Sequence, residues 1–182
     1  DGRFATIKPD GQKVAFWTRE SSSATTGDLV MVDAAGGTPE DLVTDVTAKT
    51  MLTCFIDWPT GDYVYYGVNT DNSSKGGTNQ IWKVNINTKE TVQIGQFSSN
   101  MWRVDFANDG EKMSARPHSG SELHRLILPT DGINITLDDN TKYGGGCGSA
   151  VSCDGAYLSR ITDFSHSTMR IINWDGSNNV LF

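Results

Sequence analysis

One turn returns four times along this chain, and that repetition restricts the fold more than any other feature. It appears in "TIKPDGQKVAFWT" (residues 6–18), "FIDWPTGDYVYYGV" (55–68), "RVDFANDGEKMSAR" (103–116) and "SAVSCDGAYLSRI" (149–161). Each stretch is a short apolar run, a turn carrying Asp and Gly, and a second apolar run. That is the grammar of a β-hairpin, because tight turns need the backbone freedom of Gly and Asp. The turn glycines are Gly11, Gly61, Gly110 and Gly155, separated by 50, 49 and 45 residues.

The second half of each unit repeats as well. After a polar loop come "DLVMVDAAGG", "QIWKVNINTKE", "LHRLILPTDG" and "MRIINWDGSN", each followed by a short apolar run: "PEDLV", "TVQIG", "INITL" and "NVLF". Each unit therefore reads as four antiparallel strands, called a to d in chain order, and no useful window has helical periodicity. Four-stranded units at this period are the signature of β-propeller blades. A single twisted blade cannot cover its own two faces, so blades pack face to face around an axis. The expected class is all-β, a single propeller region over residues 1–182 with blades at about 1–46, 47–96, 97–140 and 141–182. Val14/Phe16, Val64/Tyr66, Met113/Ala115 and Tyr157/Leu158 are expected to fill the layers between blades.

The repeat resembles the TolB-type propeller repeat, roughly S-P-D-G-K-x-I-A-F followed by I-Y-V-M-D-A-D-G-G and x-x-L-T. Lys8-Pro9-Asp10-Gly11, Val14-Ala15-Phe16 and Leu29 to Gly37 carry the match in blade one. Ser152-Cys153-Asp154-Gly155 and Asn173-Trp174-Asp175-Gly176 carry it in blade four, with Cys153 where Pro is usual. Blade two inverts the turn as Thr60-Gly61-Asp62, and blade three has Asn108-Asp109-Gly110 without Pro. Propellers of this type have six to eight blades more often than four, so the resemblance implies four blades of a larger ring; a closed four-blade ring is the alternative. The chain starts at Asp1, which reads as a mature product or a fragment. The resemblance implies an extracytoplasmic place, periplasmic, cell-surface or secreted. It leaves function open, because one fold hosts many functions.

Charge narrows the partners. The 182 residues include 15 Lys and Arg against 22 Asp and Glu, a net charge of −7. Nucleic acids reward clustered cations, and the longest basic grouping here is two residues, so they are not expected partners. No apolar run approaches the roughly 20 residues of a membrane-spanning helix. Cys54, Cys147 and Cys153 form no Cys-x-x-Cys pair, so no zinc site is expected.

Chemistry is expected on the b–c and d–a loops, which share one rim in a propeller. The b–c loops "RPHSGS" and "DFSHS" carry Arg116, His118, Asp163 and His166. Such a cluster could bind an acidic sugar, or act as base and charge neutraliser in a lyase. His124 reads as a strand residue. Trp58 and Trp102 lie on or near innermost strands and could stack on a sugar ring. "GGGCG" (144–148) lacks the Lys and helix of a phosphate loop. "DNSSKGG" and "DDNTK" offer oxygens to Ca²⁺ without the spacing of an EF-hand loop, and no cofactor is expected. The leading expectation is a non-enzymatic binding or scaffold module offering its rim to a protein or glycan. The alternatives are a polysaccharide lyase or glycan hydrolase domain acting on acidic sugars, and a structural subunit that assembles through open end blades or meets further blades of its own chain.

Overall fold

The computed structural model describes residues 3–21, 24–47, 55–70, 77–117, 122–128, 133–135, 137, 142–143, 149–161, 169–178 and 180–181. Every regular element among them is a strand. The first sheet runs in the order β1 (Arg3–Ile7), β2 (Lys13–Thr18), β3 (Thr26–Asp33) and β4 (Glu40–Thr47). The last runs β13 (Ser149–Val151), β14 (Tyr157–Ile161), β15 (Met169–Asn173) and β16 (Val180–Leu181). Both are antiparallel throughout.

The middle of the chain is one continuous sheet. Its path joins β5 (Ile56–Thr60), β6 (Tyr63–Val68), β7 (Thr78–Asn85), β8 (Thr91–Phe106), β9 (Lys112–Pro117), β10 (Leu123–Ile127) and β12 (Lys142–Tyr143). The link is β8, whose 16 residues serve as strand d of the second unit and strand a of the third. The short β11 (Asn134–Ile135), from the run expected to close the third unit, pairs parallel with Gln96 and Phe97 of β8 instead. Residues Lys142 and Tyr143 take the place beside β10.

The turn chemistry repeats in detail. In units one, three and four the a–b connection is closed by Lys8 N to Lys13 O, Ala107 N to Lys112 O and Ser152 N to Tyr157 O, each 2.9 Å. Four residues lie inside each closure, and only the glycine takes positive φ: +74° at Gly11, +70° at Gly110, +65° at Gly155. These are longer loops than a two-residue primed turn, which would need positive φ at both central residues. The Asp earns its place by side-chain bonding: Oδ1 of Asp10 accepts from Gln12 N, that of Asp109 from Glu111 N, that of Asp154 from Ala156 N. Such Asx turns satisfy the loop backbone locally.

Two large apolar clusters hold the units. Ala15, Trp17, Leu29 and Met31 of the first sheet meet Trp58, Val64, Tyr66 and Val84 of the second. Trp17 sits edge-on to Tyr66 with ring centroids 5.8 Å apart. Within the curled middle sheet, Tyr65, Ile81 and Phe97 pack on Phe106, Met113 and Leu126. The layer faces differ from expectation at both ends. Ala15 and Trp17, not Val14 and Phe16, fill the first layer, and Leu158 is buried while Tyr157 is 49% exposed. The outer face of the last sheet, with Ala150, Tyr157 and Ile171, forms an open apolar groove of about 480 Å³.

Candidate functional site

The site begins with a bulge in β8. Met101 stands opposite Pro117 and Arg103 opposite Arg116, so Trp102 is an extra residue in the register. An extra residue bends the strand and re-aims its side chain. Trp102 is left 42% exposed, with the Arg116 guanidinium 5.3 Å from its ring centroid. Arg116 is itself 7% exposed. A cation over an aromatic face attracts the ring quadrupole and fixes both groups. Gly77 supports the strand from behind: at φ +115°, an added Cβ would lie 2.6 Å from the Met101 carbonyl oxygen. The same end of the sheet holds the buried Asn69 and Asn100.

The other sequence-selected residues fall elsewhere. Trp58 is 2% exposed, packed in the first apolar cluster, and its indole N–H donates to the Gly61 carbonyl at 3.0 Å. Its ring has no face to offer a ligand, because burial against Val64 and Tyr66 already occupies it. His124 is buried on β10 opposite Ala115. His118, Asp163, His166, Cys54 and Cys147 lie outside the described residues, and Cys153 is exposed. Among the described residues no three His, Cys, Asp or Glu side chains group closely enough to hold a metal ion.

Two residues that sequence reasoning passed over bind the inner strands together. The Asp57 carboxylate accepts from Trp58 N at 2.8 Å and from Phe106 N, on the third unit's inner strand, at 3.2 Å. The Asp105 carboxylate accepts from Val151 N, on the fourth unit's inner strand. Burial pushes both carboxyls up, Asp105 to about 6 with the charge of Asp57 adding to the effect. The available signal was an Asp inside a strand pattern, where Asp is depleted, followed in both cases by an aromatic residue.

Inner strands β1, β5, the end of β8, and β13 lie against one another in succession, so four-stranded units fan out from a common side. No family model and no curated protein matches the chain. Solved structures do. TolB from Acinetobacter baumannii superposes with a TM-score of 0.69 at 13% identity, over 97% of this chain and 42% of TolB. An oligogalacturonate lyase solved with manganese gives 0.69 at 9% identity, over 98% and 52%. A chain of the nidogen–laminin complex gives 0.59 at 11% identity, over 100% and 63%. The fold is a β-propeller. The chain spans about half the length of the propellers it matches. With the fold in hand, the bulge at Trp102 falls where an inner strand of a blade begins, and the two aspartates tie neighbouring blades at the axis side.

Proposed function

We propose that this chain is a non-enzymatic binding module of the TolB-type propeller repeat, extracytoplasmic, whose rim around Trp102 takes a glycan. The observation that carries this reading is the Trp102 ring, held outward on the bulge by the Arg116 guanidinium. An exposed, pre-positioned indole gives a sugar ring a flat apolar surface at little entropic cost. The presence of an oligogalacturonate lyase among the structural neighbours supports carbohydrate as the ligand class. The lyase alternative needs Arg116, His118, Asp163 and His166 at one mouth, and Arg116, the described member of that set, is already stacked on Trp102. Titration with neutral and acidic oligosaccharides, followed by tryptophan fluorescence, tests the module. A saturable change that Trp102→Ala abolishes supports it; no response, or an equal response in Trp102→Ala, refutes it.

A second reading rests on the outer face of the last sheet. Tyr157 is 49% exposed, Met169 42% and Val180 48%. A contiguous apolar face of this kind marks an interface. On this reading it receives a further four-stranded blade, as the first sheet receives the second. Concentration-dependent sedimentation that Ile171→Lys abolishes supports that use of the face, and a strict monomer contradicts it.

A further inference from the structure

The a–b turn of the third blade helps to close a pocket at the opposite end of the inner strand from Trp102. Trp102 stands near the start of that strand, and Asn108, Asp109 and Gly110 form the turn after it. A cavity of about 240 Å³ lies there between the second and third blades, lined by Tyr65, Lys83, Ile94, Asp109, Glu111 and Leu128 beside Gly110. Sites for drug-sized ligands run to roughly 300–1,000 Å³, so this one suits a smaller molecule.

Its two walls carry opposite chemistry. On the second blade, Tyr65 and Lys83 stand directly opposite each other on β6 and β7, which sets a hydroxyl and an ammonium side by side. Tyr65 is 5% exposed, yet its hydroxyl forms no hydrogen bond among the described residues. Burial first, then Tyr63, Asp109 and Glu111, push its pKa up, so the group stays protonated and can donate. It lies against Gly110, where a Cβ would come within 2.4 Å of the phenolic oxygen. The Lys83 ammonium rests 4.7 Å from the Tyr63 ring centroid and forms no ion pair among the described residues.

The third blade supplies the acceptors. Oδ1 of Asp109 is taken by the backbone N–H groups of Glu111 and Lys112. Its second oxygen and the Glu111 carboxylate have no partner among the described residues. The Glu111 carbonyl accepts from Leu128 N at 2.7 Å, which fixes Leu128 in the pocket wall. Ile94 comes from a bulge: Ile81 stands opposite Gly95 and Trp82 opposite Gln93, so Ile94 is extra in the register and is re-aimed.

We infer that this pocket binds a small zwitterion, an α-amino acid with an apolar side chain. Its carboxylate accepts from the Tyr65 hydroxyl and the Lys83 ammonium. Its own ammonium donates to Glu111 and Asp109, and its side chain lies on Ile94 and Leu128. Charged groups make the stronger hydrogen bonds, and only a molecule with both charges satisfies both walls. A simple cation leaves Lys83 without an anion, and a simple anion faces two acids. The site joins the second blade to the third and does not depend on the glycan reading of the rim.

Titration calorimetry of the chain tests the inference, with L-leucine as probe. 4-Methylpentanoate, which lacks the ammonium, and 3-methylbutylamine, which lacks the carboxylate, are the references. Leucine should give a saturable, one-to-one heat, and each reference should bind at least about tenfold more weakly, having lost its charged hydrogen bonds. Lys83→Met and Glu111→Gln should each weaken leucine by about tenfold or more. Tyr65→Phe should weaken it too, and should melt no lower than the parent without ligand, because it removes a hydroxyl that has no partner. No saturable heat with leucine overturns the inference, as does a reference that binds as tightly, or an undiminished affinity in either charge variant. A lower melting temperature for Tyr65→Phe without ligand overturns it as well, since the hydroxyl would then be satisfied within the protein. The rim reading is unaffected by any of these results, since its readout is Trp102 fluorescence with sugars.

Discussion

Asp57 and Asp105 perform the same task one blade apart: each carboxylate, on an inner strand, accepts a backbone N–H from the inner strand of the next blade. Blade four has Ala150 at the corresponding place, so the series of ties ends there.

These ties have a pH signature. Burial first, then the charge of Asp57, pushes the Asp105 carboxyl up to about 6. In the unfolded chain it titrates near 3.9. Between those values the folded state holds a proton that the unfolded state has released. Stability is therefore highest below about pH 4 for this group and declines as pH rises through about 6, by on the order of 2 kcal/mol. Asp105→Asn keeps an oxygen for the Val151 N–H and removes the charge. Urea unfolding at a series of pH values should show a shallower decline for Asp105→Asn and stability at pH 7 equal to or above the parent. An unchanged slope would show that other groups set it.

Trp17 anchors the first layer at 1% exposure. Trp17→Ala should cost about 3–5 kcal/mol, the range for deleting a large buried aromatic. Its indole nitrogen is buried without a hydrogen-bond partner among the described residues. Trp17→Phe therefore removes volume but also an unsatisfied donor, and should cost under about 2 kcal/mol. Denaturant midpoints at constant m-value check both.

Trp58 and Trp102 should separate cleanly. Trp58→Ala removes a packed ring and its bond to the Gly61 carbonyl, and should lose about 3 kcal/mol or more. Trp102→Ala removes a ring that is 42% exposed, and should lose about 1 kcal/mol or less, chiefly the cation–π contact. Equal losses would mean that the bulge does not present Trp102 to solvent.

Gly77 guards the same rim. Alanine there meets the Met101 carbonyl oxygen and a φ of +115°. Gly77→Ala should lower stability by roughly 2 kcal/mol or more. Because the pressure falls on the residue before the bulge, the change should also weaken any ligand response reported by Trp102. A stable variant with an altered rim response would place Gly77 in ligand positioning alone.

The hairpins were legible because their chemistry is local. An Asp that caps its own loop and a Gly at positive φ need no distant partner, so "PDG", "NDG" and "CDG" announce themselves. The direction of burial was not legible in the same way. A blade has two apolar faces, so alternation separates Val14 and Phe16 from Ala15 and Trp17 without saying which pair meets the next blade. The partner of "INITL" depends on where the chain crosses, and Asn134 and Ile135 cross to blade two. Trp58 and Trp102 both stand at a shift in register, and what separates them is the packing of the blades, which buries the first ring in the first apolar cluster and leaves the second exposed.

The long strand β8 has a mechanical consequence. Successive blades are usually joined by a loop that can pay out before either blade yields, but here strand d of one runs straight into strand a of the next. Tension cannot be relieved at that junction. Drawn out from its two ends, the chain should give way in three steps rather than four, with the middle pair of blades rupturing as one block.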